Sequence, residues 1–383
     1  MPPPTSPTSL PTQQRALKVA GPGHLAVSDE ATVPSPGRLE LLVRVACVSI
    51  NQVDCKSADL SPTPGATSGT DFSGVVVGLG SHVDTRAWHV DDRVMAGIFG
   101  NNPLRLDNGA FAEYAVVPAS LAWHMPAGMT FATAASLPAA LATVGLSLFQ
   151  YMHIAMPDPA AGSLAIPVQL PTDKGAAART VTEPHVLVYG GGTSTGAMAI
   201  QVLKLLGLAP VTTCSASSAA RSMKLGAVAT FDYRSPTCGA DLLSYTAGGL
   251  ALALDCISDS DSMAICYKAL GPAGGRYVAL DPFPLRGHTR RSVEPDWVCT
   301  YTQFGHDVAW APPFDLDARD DDRVCAEAWY LLAQRLLDEG LVQPQPLEVR
   351  RGGLAAVGEG MQEVRRGLIK GKKLVYPVVD LTV

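Results

Sequence analysis

The chain has 383 residues, 47% of them hydrophobic and 17% charged, with a net charge of −6 at pH 7. That length and composition leave room for two packed domains and exclude a disordered chain. The acidic balance argues against nucleic acid as a partner, and no apolar run reads as long enough to cross a bilayer.

The opening residues, MPPPTSPTSLPTQQ, are rich in Pro, Ser and Thr, with no basic start and no apolar stretch. Residues 1–14 therefore read as a frayed leader and not a signal peptide. Residues 41–50 read as a strand, and NQVDCK at 51–56 as the loop after it. GTDFSGVVVGLG (69–80), DRV (92–94) and NGAFAEYAVVP (108–118) add short strands separated by glycine turns. Residues 130–150 are rich in Ala and Leu and predict a helix divided at Pro138, a residue suited to the first turn of a second helix. In it Leu141, Val144 and Leu148 share a buried face, and Thr143 points away from that face. Residues 156–184 have no sustained period and read as a long surface loop.

The segment 185–207, HVLVYGGGTSTGAMAIQVLKLLG, is a short apolar run, a glycine turn and a helix that Gly207 is placed to end. Met198, Val202 and Leu205 fall on one face of that helix. Strand, glycine turn and helix form the phosphate-binding unit of a Rossmann fold, where backbone N–H groups and the helix dipole meet a pyrophosphate. In the pattern G-x-G-x-x-G the middle glycine is replaced by Thr193. Further apolar runs at 211–214, 250–255 and 277–280 give the rhythm of a parallel sheet with crossover helices. A helix at 323–338 follows, and GLIKGKKLVYP at 367–377 reads as a turn and a final strand.

The eight cysteines form no C-x-x-C pair, and several sit in apolar runs, where cysteine acts as a small hydrophobe. Reduced thiols in the cytoplasm are expected.

NQVDCK, GTDFSGVVVGLG, NGAFAEYAVVP, VLVYGGGTSTG and GLIKGKKLVYPV, in this order, resemble the medium-chain dehydrogenase/reductase superfamily over nearly the whole chain. The resemblance implies an α/β fold: a GroES-like β-rich catalytic domain from residues 15–150 and 311–383, with a doubly wound Rossmann domain inserted at 151–310. In the zinc-binding branch the first Cys ligand aligns with Asn51 and the His ligand with Thr70, and neither residue here is an ordinary zinc ligand. No metal is therefore expected. YGGGTSTG, TTCS and YVALDPFP resemble the trans-acting enoyl reductases that serve fungal highly reducing polyketide synthases. The activity implied is NADPH-dependent reduction of the α,β-double bond of a carrier-bound enoyl thioester. A monomer is expected, with a synthase carrier domain as its partner and no membrane. Alternatives are a quinone or small-enone reductase and a non-catalytic NADPH-binding protein.

That chemistry needs a held hydride donor, a group that stabilises the carbonyl oxygen, and a proton for the α-carbon. Lys56 is the expected oxygen-binding or proton-donating group, though it reads equally as a surface lysine. Thr143 is expected to face the nicotinamide or substrate, or else to bond back to its own helical turn. Asn51 is expected to bind ribose or substrate, or to serve a strand-end turn. Asp54 reads as a residue that orients the loop. His306 stays outside the catalytic set. The expected cofactor contacts are Gly191, Gly192, Thr193, Ser194, Thr195 and Gly196 at the turn. Cys256 and Leu280 are expected near the nicotinamide.

The second Rossmann strand ends Thr213-Cys214-Ser215-Ala216-Ser217 and carries no carboxylate to repel a 2′-phosphate. Ser215 and Ser217 can bond that phosphate. Arg221 and Lys224 can add charge, or are ordinary helix cations, and Tyr233 can stack on the adenine. Arg286, Arg290 and Arg291 are candidates for docking an acidic carrier, or else a solvated cluster.

Overall fold

A computed structural model describes residues 10–165 and 184–379. β1 (Gln13–Gly21) and β2 (His24–Thr32) form an antiparallel hairpin. There follow β3 (Glu40–Ser49), α1 (Gln52–Leu60), β4 (Asp71–Leu79), β5 (Arg93–Gly97), β6 (Tyr114–Pro118) and β7 (Trp123–His124). α2 (Phe131–Ala134) and α3 (Pro138–Gly145) come next, and α3 widens into a π-helical turn at Leu146–Tyr151. Then β8 (His185–Tyr189), α4 (Ser194–Leu205), β9 (Ala209–Cys214), α5 (Ala216–Lys224), β10 (Ala229–Asp232) and α6 (Cys238–Tyr245) alternate. β11 (Leu252–Asp255), α7 (Ser260–Ala269), β12 (Gly275–Ala279) and β13 (Val293–Trp297) continue them. A 3-10 helix, Thr300–Phe304, leads to α8 (Asp320–Asp338), β14 (Leu347–Val349), α9 (Gly353–Arg365) and β15 (Lys373–Pro377).

Two large sheets result. One is wholly parallel, in the order β10-β9-β8-β11-β12-β13. β8 is buried at every position after its first, as its unbroken apolar run requires in a sheet covered on both faces. Strand order reverses between β8 and β11, so a crevice opens beyond their carboxyl ends. The other sheet runs β14-β15-β3-β4-β5-β7, with β6 also on β3. β15 pairs antiparallel with β3, Val375 opposite Ser49, so this sheet closes only when both ends of the chain meet.

α3 and α4 carry the contact between the lobes, and α8 packs on α3. Leu141, Val144 and Leu148 are fully buried there, as their spacing predicts. A Cβ at Gly145 would lie 2.1 Å from Trp329 of α8, and the Trp329 indole N–H donates to the Leu141 carbonyl at 2.8 Å. Only glycine permits that approach.

The structure corrects three expectations. Residues 51–56 are not a loop but the start of α1, because the Asp54 side chain accepts the Asn51 backbone N–H at 2.7 Å and caps the helix. Gln13 and Gln14, the last of the expected leader, already pair with β2; residues 1–9 lie outside the described residues. Phe131–Tyr151, 21 residues, is long and apolar enough to cross a membrane by length and composition, yet 72% of its most apolar window is buried inside the protein. Of the expected surface loop, residues 166–183 lie outside the described residues.

Candidate active site

A cleft of about 1720 Å³ lies where the two sheets' lobes face each other. From the parallel sheet it is lined by Gly191, Gly192, Thr193, Ser194 and Thr195 after β8, by Cys256 after β11, and by Leu280 and Asp281 after β12. From the other lobe Asn51, Lys56, Thr70 and Thr143 line it.

The glycine turn is shaped by what it excludes. Gly190 has φ +90°. A Cβ on Gly191 would lie 2.3 Å from the Thr212 hydroxyl, and one on Gly196 would lie 2.3 Å from the Gly190 carbonyl oxygen. Thr193, the departure from the glycine pattern, is the N-cap of α4: its hydroxyl accepts the Gly196 N–H at 3.0 Å. Gly196 thus closes the turn from behind and is not in the cleft wall. Ser194 and Thr195 bring the first turn of α4, with its free N–H groups and positive dipole end, to the cleft.

Beyond β9, the Ser215, Ser217 and Ser218 hydroxyls cluster within 3.3 Å or less of Ser215 and line the cleft with Arg221 and Tyr233. The Arg221 guanidinium donates to the Gln345 side chain and, at 2.9 Å, to the Pro344 carbonyl. Gln345 in turn donates to the Gly192 and Thr193 carbonyls at 3.0 and 2.8 Å. This chain ties the glycine turn to the segment before β14. Lys224, although three residues from Arg221, is exposed and outside the cleft wall. Partial burial lowers the Arg221 pKa from its ordinary value.

The opposite wall rests on a buried polar cluster. Asp71, fully buried, accepts the Lys373 ammonium at 3.0 Å, the Asn51 amide at 2.9 Å, and the Ala139 N–H at the start of α3 at 2.8 Å. The Asn51 carbonyl oxygen accepts a second bond from Lys373. Both ends of the Asn51 amide are therefore engaged, with one amide hydrogen left over. The Asp71–Lys373 pair is buried and multiply bonded, the condition under which buried charge is tolerated. It anchors α3, and with it Thr143, whose hydroxyl meets that of Thr300 at 2.9 Å. That bond stands in place of the alternative one, back to its own helical turn.

Asp54 lies beside this cluster. Its carboxylate accepts the Thr70 hydroxyl at 2.7 Å, and Thr70 meets the Tyr301 hydroxyl at 2.7 Å. Burial pushes the Asp54 carboxyl up to about 7, with the negative charge of Asp71 adding to it. Burial also raises Tyr301, and the Asp54 charge raises it further. The Lys56 ammonium crosses the cleft to form an ion pair with Asp281 beyond β12. The two side chains keep 43% and 30% of their exposure, so this pair contributes little to stability.

Asn51 and Thr70 are thus committed to hydrogen bonds. Among the described residues no group of three or more His, Cys, Asp or Glu is arranged to hold a metal ion. The Cys256 thiol is held above its ordinary range by burial. The Arg290 guanidinium, partly buried, donates to the carbonyls of Tyr267 and Leu270 at 2.8 and 2.9 Å, clamping the end of α7. Arg286 and Arg291 are exposed. His306 is exposed at its polar edge, where its ring nitrogen reaches the Asp307 carbonyl.

Residues 37–127 match the family described as alcohol dehydrogenase GroES-like domain. The chain is 63% identical over 387 aligned residues to the trans-enoyl reductase iliB of Neonectria sp. (strain DH2), covering 97% of this chain and 98% of that one. The trans-enoyl reductase iccB of Talaromyces variabilis is 61% identical, with 97% of both chains covered. The chain belongs to the trans-enoyl reductases. Among solved structures, an alcohol dehydrogenase superfamily protein from Novosphingobium aromaticivorans matches with TM-score 0.72 at 20% identity, over 96% of this chain and 100% of that one. The CurK enoyl reductase matches with TM-score 0.69 at 16% identity, over 95% and 99%. These two place this trans-enoyl reductase in the medium-chain fold: a GroES-like lobe and a Rossmann lobe.

Several wall residues of the reductase escaped the sequence reading. Asp281 had one available signal, its place just past the carboxyl end of a parallel strand. Thr300, Tyr301, Gln345 and Lys373 had none, because each is placed by a contact from far along the chain.

Proposed function

We propose that this chain is an NADPH-dependent enoyl reductase that acts in trans on an α,β-unsaturated thioester carried by a polyketide synthase. The observation that carries the reading is the cleft itself. It joins a dinucleotide-type glycine turn on one wall to a lysine and a set of hydroxyls on the other, and it sits in a chain 63% identical to a trans-enoyl reductase.

The turn suits a pyrophosphate: Gly191 and Gly192 line the cleft without side chains, and the start of α4 supplies N–H groups. Ser215, Ser217 and Arg221 suit the 2′-phosphate of NADPH, and no carboxylate stands at the end of β9 to accept a ribose 2′-hydroxyl instead. Tyr233 flanks the adenine region, and Cys256 and Leu280 flank the nicotinamide region. When bound, the cofactor supplies the hydride for the β-carbon. Lys56 keeps donors beyond the one given to Asp281 and stabilises the charge that grows on the thioester oxygen. Thr143 positions the reacting groups, and Asn51 holds the floor beneath them.

Residues 15–150 with 311–383 and residues 151–310 are the two proposed domains, a division supported by the separation of the strands into two large sheets. The eight cysteines are all free, which supports a reducing cytoplasmic setting. A monomer is supported by β13, an outer strand of the parallel sheet: Pro295 and its charged neighbours Glu294 and Asp296 oppose pairing with a second copy along that edge.

The test is cofactor oxidation with carrier-bound enoyl thioesters, free enoyl thioesters and quinones, using NADPH and NADH in parallel. A higher kcat/KM for NADPH with carrier-bound thioester is expected. Preference for NADH overturns the cofactor assignment. Turnover of quinones alone overturns the substrate class, and elemental analysis showing stoichiometric zinc overturns the metal-free reading.

A further inference from the structure

We propose that Tyr301, Thr70 and Asp54 form a proton relay that delivers the α-carbon proton, with Tyr301 as the group that meets the substrate. The proposal rests on the enoyl-reduction reading above and adds the source of the proton, which Lys56 then need not supply.

Three observations carry it. Tyr301 and Thr70, 5% and 6% exposed, line the cleft, whereas Asp54, 2% exposed, lies behind them. The three side chains are joined by two hydrogen bonds of 2.7 Å. The Tyr301 ring is held rigidly, stacked on Phe99 at 4.3 Å and edge-on to Trp310 at 5.2 Å. The hydroxyl of a cleft-lining tyrosine therefore continues, through one more hydroxyl, into a buried carboxyl.

The direction of the wire follows from the charge on Asp54. As a carboxylate it can only accept, so Thr70 donates to it, Tyr301 donates to Thr70, and a lone pair faces the cleft. As a neutral acid it donates to Thr70, Thr70 donates to Tyr301, and the phenol O–H turns to the cleft. The groups that set the balance are few. Asp71 on β4 opposes ionisation of Asp54, and Lys373 on β15 favours it. On the α9 side Arg365 is paired with Asp59, and the Cys55 thiol meets the Met361 carbonyl. With the carboxyl held at about 7, both charge states are populated near neutral pH.

The step balances as follows. Hydride addition to the β-carbon leaves an enolate. Its electron pair forms the new α-carbon–hydrogen bond with the Tyr301 proton. The phenol oxygen takes the proton of Thr70, Thr70 takes that of Asp54, and the carboxylate left behind is reprotonated from water after product leaves. The relay spares Tyr301 from ionising, which its burial disfavours.

Tyr301→Phe and Asp54→Asn test it; the phenyl ring keeps its packing, and the amide keeps an acceptor for the Asn51 N–H. With NADPH and an enoyl thioester, kcat/KM of the native enzyme is expected to fall as pH rises through about 7. Tyr301→Phe is expected to lose on the order of 10²-fold in kcat/KM at pH 6 with unchanged NADPH affinity, since general acids contribute at least that much. Asp54→Asn is expected to lose the break near 7. In D₂O the native enzyme should place deuterium on one face of the α-carbon, and Tyr301→Phe on both. A Tyr301→Phe rate within about twofold of native, or a break retained in Asp54→Asn, overturns the relay. Absence of turnover by the native enzyme on every enoyl thioester would instead overturn the reading on which the relay rests.

Discussion

The two walls of the cleft are built in opposite ways. On the Rossmann side the wall is backbone: a turn in which Gly191 and Gly196 have no room for a side chain, closed by the Thr193 cap. On the other side it is side chains: Asn51, Thr70 and Lys373 at the cleft, hydrogen-bonded to the buried carboxyls of Asp54 and Asp71 behind them. The backbone wall tolerates a change of residue only where a Cβ fits. The side-chain wall tolerates a change only where charge and hydrogen bonds still balance. In the function and relay proposed above, one wall offers a fixed shape to a cofactor, and the other offers protons and charge to a substrate.

The largest expected effect breaks the side-chain wall. Lys373→Ala leaves Asp71 buried and unpaired, and breaking such a pair costs about 3–5 kcal/mol. Urea unfolding should register that loss. A loss below about 1 kcal/mol, the level of an exposed pair, would mean that the pair does not hold this wall together.

Lys56→Ala comes next and separates chemistry from structure on the same wall. Loss of an oxyanion donor lowers kcat by about 10²–10³. NADPH affinity and Tm should stay put, because the Lys56–Asp281 pair is half-exposed. An unchanged kcat returns Lys56 to an ordinary surface lysine.

Gly196→Val tests the backbone wall. Overpacking against the Gly190 carbonyl costs about 1–3 kcal/mol. Cofactor titration should show affinity reduced by roughly 10- to 10²-fold, because the turn must open to admit the side chain. Unchanged affinity would mean that the turn's shape does not matter to the cofactor.

The last effect is one of pH. The folded Asp54 carboxyl ionises at about 7, above its ordinary 3.8, so its burial destabilises the fold once it is charged. That cost is absent below about pH 4, grows between the two values and is complete above 7. Asp54→Asn should therefore raise Tm relative to native at pH 8 and lose that advantage at pH 4. An advantage independent of pH would remove Asp54 as its source.

How far each wall could be read beforehand follows from how it is made. GGGTSTG announces its turn in seven consecutive residues: the positive φ of Gly190 and the Cβ clashes at Gly191 and Gly196 explain those three glycines. α1 was legible in principle, since Asn51 and Asp54 stand at capping-box spacing, yet a polar segment after a strand reads first as a loop. Tyr301 follows β13 with no local pattern to mark it. Lys373, in GKKLVYP, looks like any basic turn until β15 pairs with β3 and sets its ammonium against Asn51, 322 residues away.

Consecutive residues determine the strands, the crossover helices, the glycine turn and its cap, because those depend on backbone sterics and hydrogen bonds within a few residues. They also rule out the usual zinc ligands at Asn51 and Thr70 by residue type alone. Tertiary structure decides which distant side chains meet. Asp71 with Lys373, Lys56 with Asp281, and Asp54 with Thr70 and Tyr301 meet only once both sheets have closed. The raised Asp54 carboxyl and Tyr301 phenol follow from burial, and burial is a property of the assembled fold.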